Sequence, residues 1–290
     1  MKTSSKLATL GICSFLFLSL DACQQQNTTS EGTNQRQSSS AKVPWKASYT
    51  NLNNQVSTEE VKSLLSAHLD PNSVDSFFNL VNDYNTIVGS TGLSGDFASF
   101  THTEYDVEEI SNLWNQKKGD FVGTNCRINS YALLKNSVTI PQLEKNDQLL
   151  FLDNDAIDKG KVFDSQDKEE FDILFSRVPT EATTDVKVHA EKMETFFSQF
   201  QFNDKARMLS VVLHDNLDGE YLFVGHVGVL VPANDGFLFV EKLTFEEPYQ
   251  AIKFANKEDC YKYLGTKYAD YTGDGLAKPF IMDNDKWVNL

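Results

Sequence analysis

The sequence predicts an α+β fold, with N-terminal helices packed on a C-terminal antiparallel meander sheet. Two observations carry this. Between Ser57 and Leu134, and again over Val188 to Phe200, apolar residues return every three or four positions, the period of a helix with one buried face. After Met208 the pattern becomes short β-branched and aromatic runs, MLSVVL, YLFVGHVGVLV and GFLFVEKLTF. Each run is bounded by Asp, Asn, Gly or Pro, as strands joined by turns are. Helices first and consecutive strands last is the α+β order.

The elements follow in chain order. Ser57 and Glu60 read as a capping box, and Val61, Leu64, Leu65 and Leu69 share the face of the helix it opens. Asp70-Pro71 closes that helix and opens a second, since Pro suits a first helical turn. Its stripe is Val74, Phe77, Phe78, Val81 and Tyr84. A loop covers Gly89 to Gly95. A third helix is expected over Tyr105 to Lys117, with Val107, Ile110, Leu113 and Trp114 inward and Gly119 ending it. A fourth begins at or just before Cys126. Asp153, Asn154, Asp155 and Asp158 crowd together without the Gly that a calcium loop needs at its sixth position, and read as a solvated acidic loop. Glu169 to Phe175 and Val188 to Phe200 are two further helices. The three strands make the meander, Asn256-Lys257-Glu258-Asp259 caps a last helix to about Tyr268, and Pro279 to Met282 adds an edge strand.

Composition bounds the function. The chain has 290 residues, 40% of them hydrophobic and 12% aromatic, so it can meet the entropy cost of folding. Its 26 basic and 41 acidic residues leave a net charge of −15. Nucleic acid is therefore not an expected partner, because phosphate contact needs clustered Lys and Arg, and a polybasic lipid anchor is excluded on the same ground. Four cysteines make no disulfide framework. No two histidines stand at metal-ligand spacing and no Gly-rich phosphate loop is present, so no metal and no nucleotide cofactor is expected.

The N-terminus reads as an address. Lys2 and Lys6 precede an uncharged run from Leu7 to Leu20, too short to span ~30 Å of hydrocarbon comfortably. Leu20-Asp21-Ala22-Cys23 then resembles the bacterial lipobox, with Asp21 in place of the usual small residue. The resemblance implies removal of residues 1–22 and a diacylglycerol thioether on Cys23, which anchors the chain at the outer face of the cytoplasmic membrane. The alternative is a plain secretory signal. Residues 23–42, rich in Gln, Asn, Ser and Thr, read as a disordered tether. Residues 43–290 form the single folded domain.

Few groups could do chemistry. Beyond Cys23 the mature cysteines are Cys126 and Cys260, and the histidines are His68, His102, His189, His214 and His226. Cys126, in Gly123-Thr124-Asn125-Cys126, stands at a helix start, where unpaired N–H groups favour a thiolate and can receive an oxyanion. The alternative is a small buried hydrophobe. Cys260, mid-helix, reads as structural. His226 is embedded in a strand between Gly225 and Gly228, whose missing side chains leave room for another group. His214, beside a turn, is expected to face solvent. A four-residue loop from Ala233 to Gly236 places Glu241 one diagonal step from His226, near enough to orient the imidazole. A two-residue Asp235-Gly236 turn places it two steps away. The alternative is a surface Glu beside Lys242.

A helix-start Cys, a strand His and an acidic residue on the next strand, in that order, resemble the papain-like thiol hydrolases, including NlpC-type cell-wall enzymes. The transglutaminase-like fold shares the order. The runs GTNCRINSYALL, GHVGVLVP and FVEKLTFEEPYQAIKF are similar to an uncharacterised family of Gram-positive lipoproteins with a domain of unknown function. Carried over, Cys126 would be the nucleophile, His226 the base and Glu241 the orienting group. The Gln that such enzymes often place several residues before the Cys is missing, with Asp120 standing six before; Asn125 is the one substitute in reach. The resemblance implies an extracytoplasmic cysteine amidase or peptidase, with peptidoglycan stem peptides as the nearest amide-rich substrate. A non-catalytic binding module and a transglutaminase-like acyl transferase are the alternatives.

Overall fold

The structure is a computed structural model that describes residues 46–100 and 103–290. The expected signal over 1–22, the lipidated Cys23, the tether over 23–42 and His102 lie outside the described residues. Among the described residues the chain is a mixture of eight α-helices and a large antiparallel sheet.

Seven helices come first: α1 (Gln55–Ser66), α2 (Pro71–Val88), α3 (Val107–Lys118), α4 (Cys126–Leu134), α5 (Phe151–Gly160), α6 (Ser165–Leu174) and α7 (Val186–Phe197). Among them lie β1 (Ala47–Thr50) and three two-residue strands, β2 (Ala98–Ser99), β3 (Val138–Thr139) and β4 (Val178–Pro179). Then come β5 (Gln201–Phe202), β6 (Arg207–Asp215), β7 (Tyr221–Ala233), β8 (Gly236–Lys242) and β9 (Tyr249–Phe254). The chain closes with α8 (Lys257–Lys267), β10 (Phe280–Asp283) and β11 (Lys286–Val288). The main sheet runs β11-β10-β6-β7-β8-β9-β1-β2, with β4 paired to the start of β7.

The middle of this sheet is buried on both faces, and the pleat explains how. Along β6, β7, β8 and β9, Met208, Val229, Val240 and Ala251 join the core shared with α1 to α7, while their neighbours Leu209, Leu230, Phe239 and Ile252 pack with α8. Such strands read as continuous apolar runs rather than alternating ones, which is how the three central strands look in the sequence.

Several expected details are corrected. Ser57 is not the cap of α1: Asn54 is, its side chain accepting from the Ser57 N–H at 2.9 Å, and Ser57 lies inside the first turn. Glu60 instead meets Lys253 across the fold. The acidic segment 153–158 is not a solvated loop but part of α5, where Lys159 neutralises Asp155 four residues before it and Asp153 faces inward. Val107 is exposed rather than inward. Phe280–Asp283 is not an edge strand, because β11 pairs along its outer side. Strands β1 and β9 were not foreseen; the first is only four residues long, and the second follows the Glu-Glu-Pro loop with no turn signal of its own.

The hairpin between β7 and β8 turns at Asn234-Asp235 and pairs Ala233 with Gly236. This loop is tighter than the four-residue one, yet the register is the same, so Glu241 stays one diagonal step from His226. The β7–β8 ladder stops at Val229 and Val240, whereas β8 continues beside β9 to Lys242 and Tyr249. Earlier in β7 the carbonyls of Val224 and Val227 accept instead from Arg127 and Ser130 of α4, at 2.9 and 3.2 Å. The start of α4 thus takes the place beside β7 that β8 has left.

Candidate active site

The turn that opens α4 is tightly specified. Gly123 has φ +93°, a conformation that suits Gly, and a Cβ there would sit 3.3 Å from the Trp114 ring and 3.4 Å from the Phe245 carbonyl. Asn125 is the N-cap, its side-chain oxygen accepting from the Ile128 N–H at 3.1 Å. Its amide donates to Asp153 at 2.8 Å, and Arg127 forms a two-pronged pair with the same carboxylate at 2.9 and 2.7 Å. The Asn129 amide donates to the Thr124 hydroxyl at 2.9 Å, and the Tyr249 hydroxyl donates to the Asn129 oxygen at 2.9 Å. With those protons assigned, Thr124 donates to Tyr249 at 3.3 Å and closes a ring of three bonds. Helix start, α5 and β9 are held together through buried polar groups, so Cys126 has a fixed place.

His226 is set by a bulge. Val211 pairs with His226, but Val212 pairs with Val224, so Gly225 is an extra residue in β7. The groups that take up the room left by the flanking glycines are apolar neighbours. A Cβ on Gly225 would meet Leu213 at 2.3 Å, and one on Gly228 would meet the Phe239 ring at 2.3 Å. They let neighbouring strands close up around the histidine.

The structure brings the three sequence-expected residues together. His226 Nε2 donates to Glu241 Oε2 at 2.6 Å, which leaves Nδ1 for the Cys126 sulfur, its other hydrogen-bond partner. Cys126, His226 and Glu241 are all buried. Burial by itself raises the Cys126 pKa, but the His226 charge and hydrogen bond, with help from Arg127, outweigh it and bring the thiol below its ordinary value. Burial lowers the His226 pKa, and Cys126 and Glu241 outweigh it, pushing the imidazole up to about 9. Glu241 is raised by burial and held down to about 2 chiefly by Lys267, His226 and Tyr263. The shifts run in the direction of a thiolate beside an imidazolium that is held by a carboxylate.

Sequence reasoning missed the residues of α8 that complete the row. The Tyr263 hydroxyl donates to Glu241 Oε1, Lys267 donates to Tyr263 at 2.9 Å, and the Lys267 ammonium stands 3.8 Å from Glu241. The Tyr268 ring stacks on His226 with centroids 4.8 Å apart and planes 23° apart. Tyr263 and Lys267 stand four apart on one helix face, a spacing visible in the sequence, but nothing there says which strand they cover. The alternative of a surface Glu241 beside Lys242 does not hold, since both residues are buried.

Other expectations change. Asn125, the substitute for the missing oxyanion donor, spends its side-chain oxygen on the cap and one of its two amide protons on Asp153. His214 is not solvent-facing: it is buried, donates to Glu220 at 2.7 Å, accepts from the Ala277 N–H at 3.1 Å and lies 4.4 Å from the His189 ring. His189 is itself bonded to Thr180 and Thr183. Cys260 is buried against α8's side of the sheet, where burial pushes its thiol up, the opposite of Cys126.

Among known families, the profile of a domain of unknown function, DUF4300, matches residues 48–288. No curated protein and no solved structure matches the chain.

Proposed function

Because the chain belongs to the DUF4300 family of unknown function, we propose a function from its own geometry: a papain-like cysteine hydrolase that cleaves amide bonds. One observation supports this reading above the others. A thiol at a helix start is bonded to an imidazole whose far nitrogen is held at 2.6 Å by a buried carboxylate.

The chemistry balances with these residues alone. The Cys126 thiolate attacks the carbonyl carbon, and the tetrahedral oxyanion is met by N–H groups of the first turn of α4. The His226 imidazolium gives its Nδ1 proton to the departing amine, leaving a thioester on Cys126. Neutral His226 then takes a proton from water, hydroxide adds to the thioester, and the acid leaves as the thiolate returns. Glu241 keeps Nε2 protonated throughout and stabilises the imidazolium.

The lipobox-like Cys23 places the enzyme on the outer face of the cytoplasmic membrane, so stem peptides of the wall are the proposed substrate. Digestion of purified cell wall by wild type and Cys126→Ala tests this. Peptide or amine release by wild type, absent from the variant, is expected. Equal release, or none from either, overturns the reading.

A second reading has its own support. Cys126 is 5% exposed and His226 1% exposed. A sealed row of this kind fits a binding module in which the three residues hold the fold and catalyse nothing. Wall binding without release, equal in both proteins, is its signature.

A further inference from the structure

Lys242 is a buried amine that the mechanism above does not use; burial pushes it down to about 7, against the pull of Glu246, Glu247 and Cys126. The residue ends β8 and is 1% exposed, among the most enclosed groups of the chain. Its ammonium donates to the carbonyls of Thr244 at 2.9 Å, Phe245 at 3.1 Å and Glu247. It lies 4.1 Å from the centroid of the Tyr84 ring and 5.3 Å from that of Tyr249. Three acceptors match the three donors of an ammonium; a neutral amine would turn its lone pair on one of them. Of the other carbonyls of the loop, that of Glu246 accepts from the Tyr84 hydroxyl and that of Pro248 from the Leu243 N–H. The loop from Leu243 to Pro248 is therefore wound around the Lys242 nitrogen.

That loop abuts the turn that presents the sulfur. The Phe245 carbonyl faces Gly123, and Tyr249, which lies under the ammonium, is bonded to Thr124 and Asn129. We infer that Lys242 is a positioning residue for Cys126: it shapes the 243–248 loop against the Gly123–Cys126 turn, and in its charged form it stabilises the thiolate. This rests on Cys126 being the nucleophile. The ionisable groups around the sulfur are then His226 from β7, Arg127 from α4, Asp153 from α5, Lys242 from β8 and Tyr268 just after α8; those around Lys242 are Tyr84, Tyr249, Glu246, Glu247 and Cys126.

Two measurements decide it, and neither needs a substrate. In the first, the pH profile of iodoacetamide alkylation is compared between wild type and Lys242→Met. The expected result is a midpoint about one pH unit higher in the variant, a roughly tenfold slower reaction at pH values below both midpoints. A folded variant with an unchanged midpoint overturns the inference. The second covers a variant that fails to fold. Coupling is reciprocal, so removing the thiolate must make Lys242 easier to deprotonate. The ¹³Cε shift of Lys242 is followed against pH in wild type and in Cys126→Ala. A midpoint lower by about one unit in Cys126→Ala is expected; equal midpoints overturn the inference. A wild-type thiol with an ordinary midpoint would instead remove the nucleophile reading, whatever Lys242 does.

Discussion

Glu241 Oε2 lies 2.6 Å from His226 Nε2, and the other oxygen of the same carboxylate accepts from Tyr263 with the Lys267 ammonium 3.8 Å away. The carboxylate is thus fixed from two sides. A carboxylate so held cannot rotate away from the imidazole, and the ring it bonds is held in turn against the thiol. The pair ties two faces of the sheet, since Glu241 belongs to the side covered by α8 and Cys126 starts a helix of the other side.

The first prediction concerns the thiol. With Cys126 below its ordinary pKa and His226 up at about 9, the reactive ion pair exists in a window between the two. Alkylation of Cys126 is expected to rise at a pH below the ordinary thiol value and to change again near pH 9 as the imidazolium is lost. Rates measured in one protein across pH cancel the constant effect of limited access. A single rise near the ordinary thiol value would contradict the ion pair.

Glu241 links the site to stability. Its pKa is about 2 in the fold against an ordinary 4.5. A depressed acid stabilises the fold fully above its unfolded pKa, and that contribution fades as pH falls toward the folded value. Wild type is therefore expected to lose stability between about pH 4.5 and pH 2 more steeply than Glu241→Gln. Urea midpoints of both proteins across that range provide the check.

Asp153 clamps the opening of α4. Replacing it with Ala leaves the Arg127 guanidinium with only the Val224 carbonyl and removes the partner of the Asn125 amide. The expected cost is about 3–5 kcal/mol, or roughly 10 °C in Tm for a domain of this size. Thermal unfolding followed by circular dichroism measures it, and a change below about 1 kcal/mol would mean the clamp is not structural.

Tyr268 screens the imidazole. Its ring lies 4.8 Å from that of His226 and is itself 9% exposed. Tyr268→Ala is expected to speed alkylation of Cys126 by about tenfold at a fixed pH, because opening the site no longer requires the ring to move. An unaltered rate would show that access comes from another side.

The anchor is tested in cells. Cys23→Ala is expected to move the protein from the detergent phase to the aqueous phase in a temperature-induced phase separation. The same partition for both proteins would exclude a lipid on Cys23.

Local patterns were legible because they depend on neighbours in the chain. The stripe of α2, the Pro71 start, the Gly119 stop and the placing of Cys126 at a helix start all follow from spacing and backbone preference. The hairpin register was narrowed to two choices, and the structure takes the one that puts Glu241 one diagonal step from His226. Boundaries that a distant partner decides were not legible. Asn54 rather than Ser57 caps α1, and 153–158 is helical because Asp153 finds Arg127 and Asn125 from another helix.

By itself, then, the sequence determined the order of helices and strands, the acidic balance, and a short roster of groups able to react, because periodicity, charge and residue chemistry are properties of the chain. Only the tertiary structure decided which of those groups meet. The early end of the β7–β8 ladder, the bulge at Gly225 and the packing of α8 bring Cys126, His226, Glu241, Tyr263 and Lys242 into one buried region. Ion pairs form and thiols become acidic through distance and exclusion of water, and here both depend on residues as far apart in the chain as Cys126 and His226.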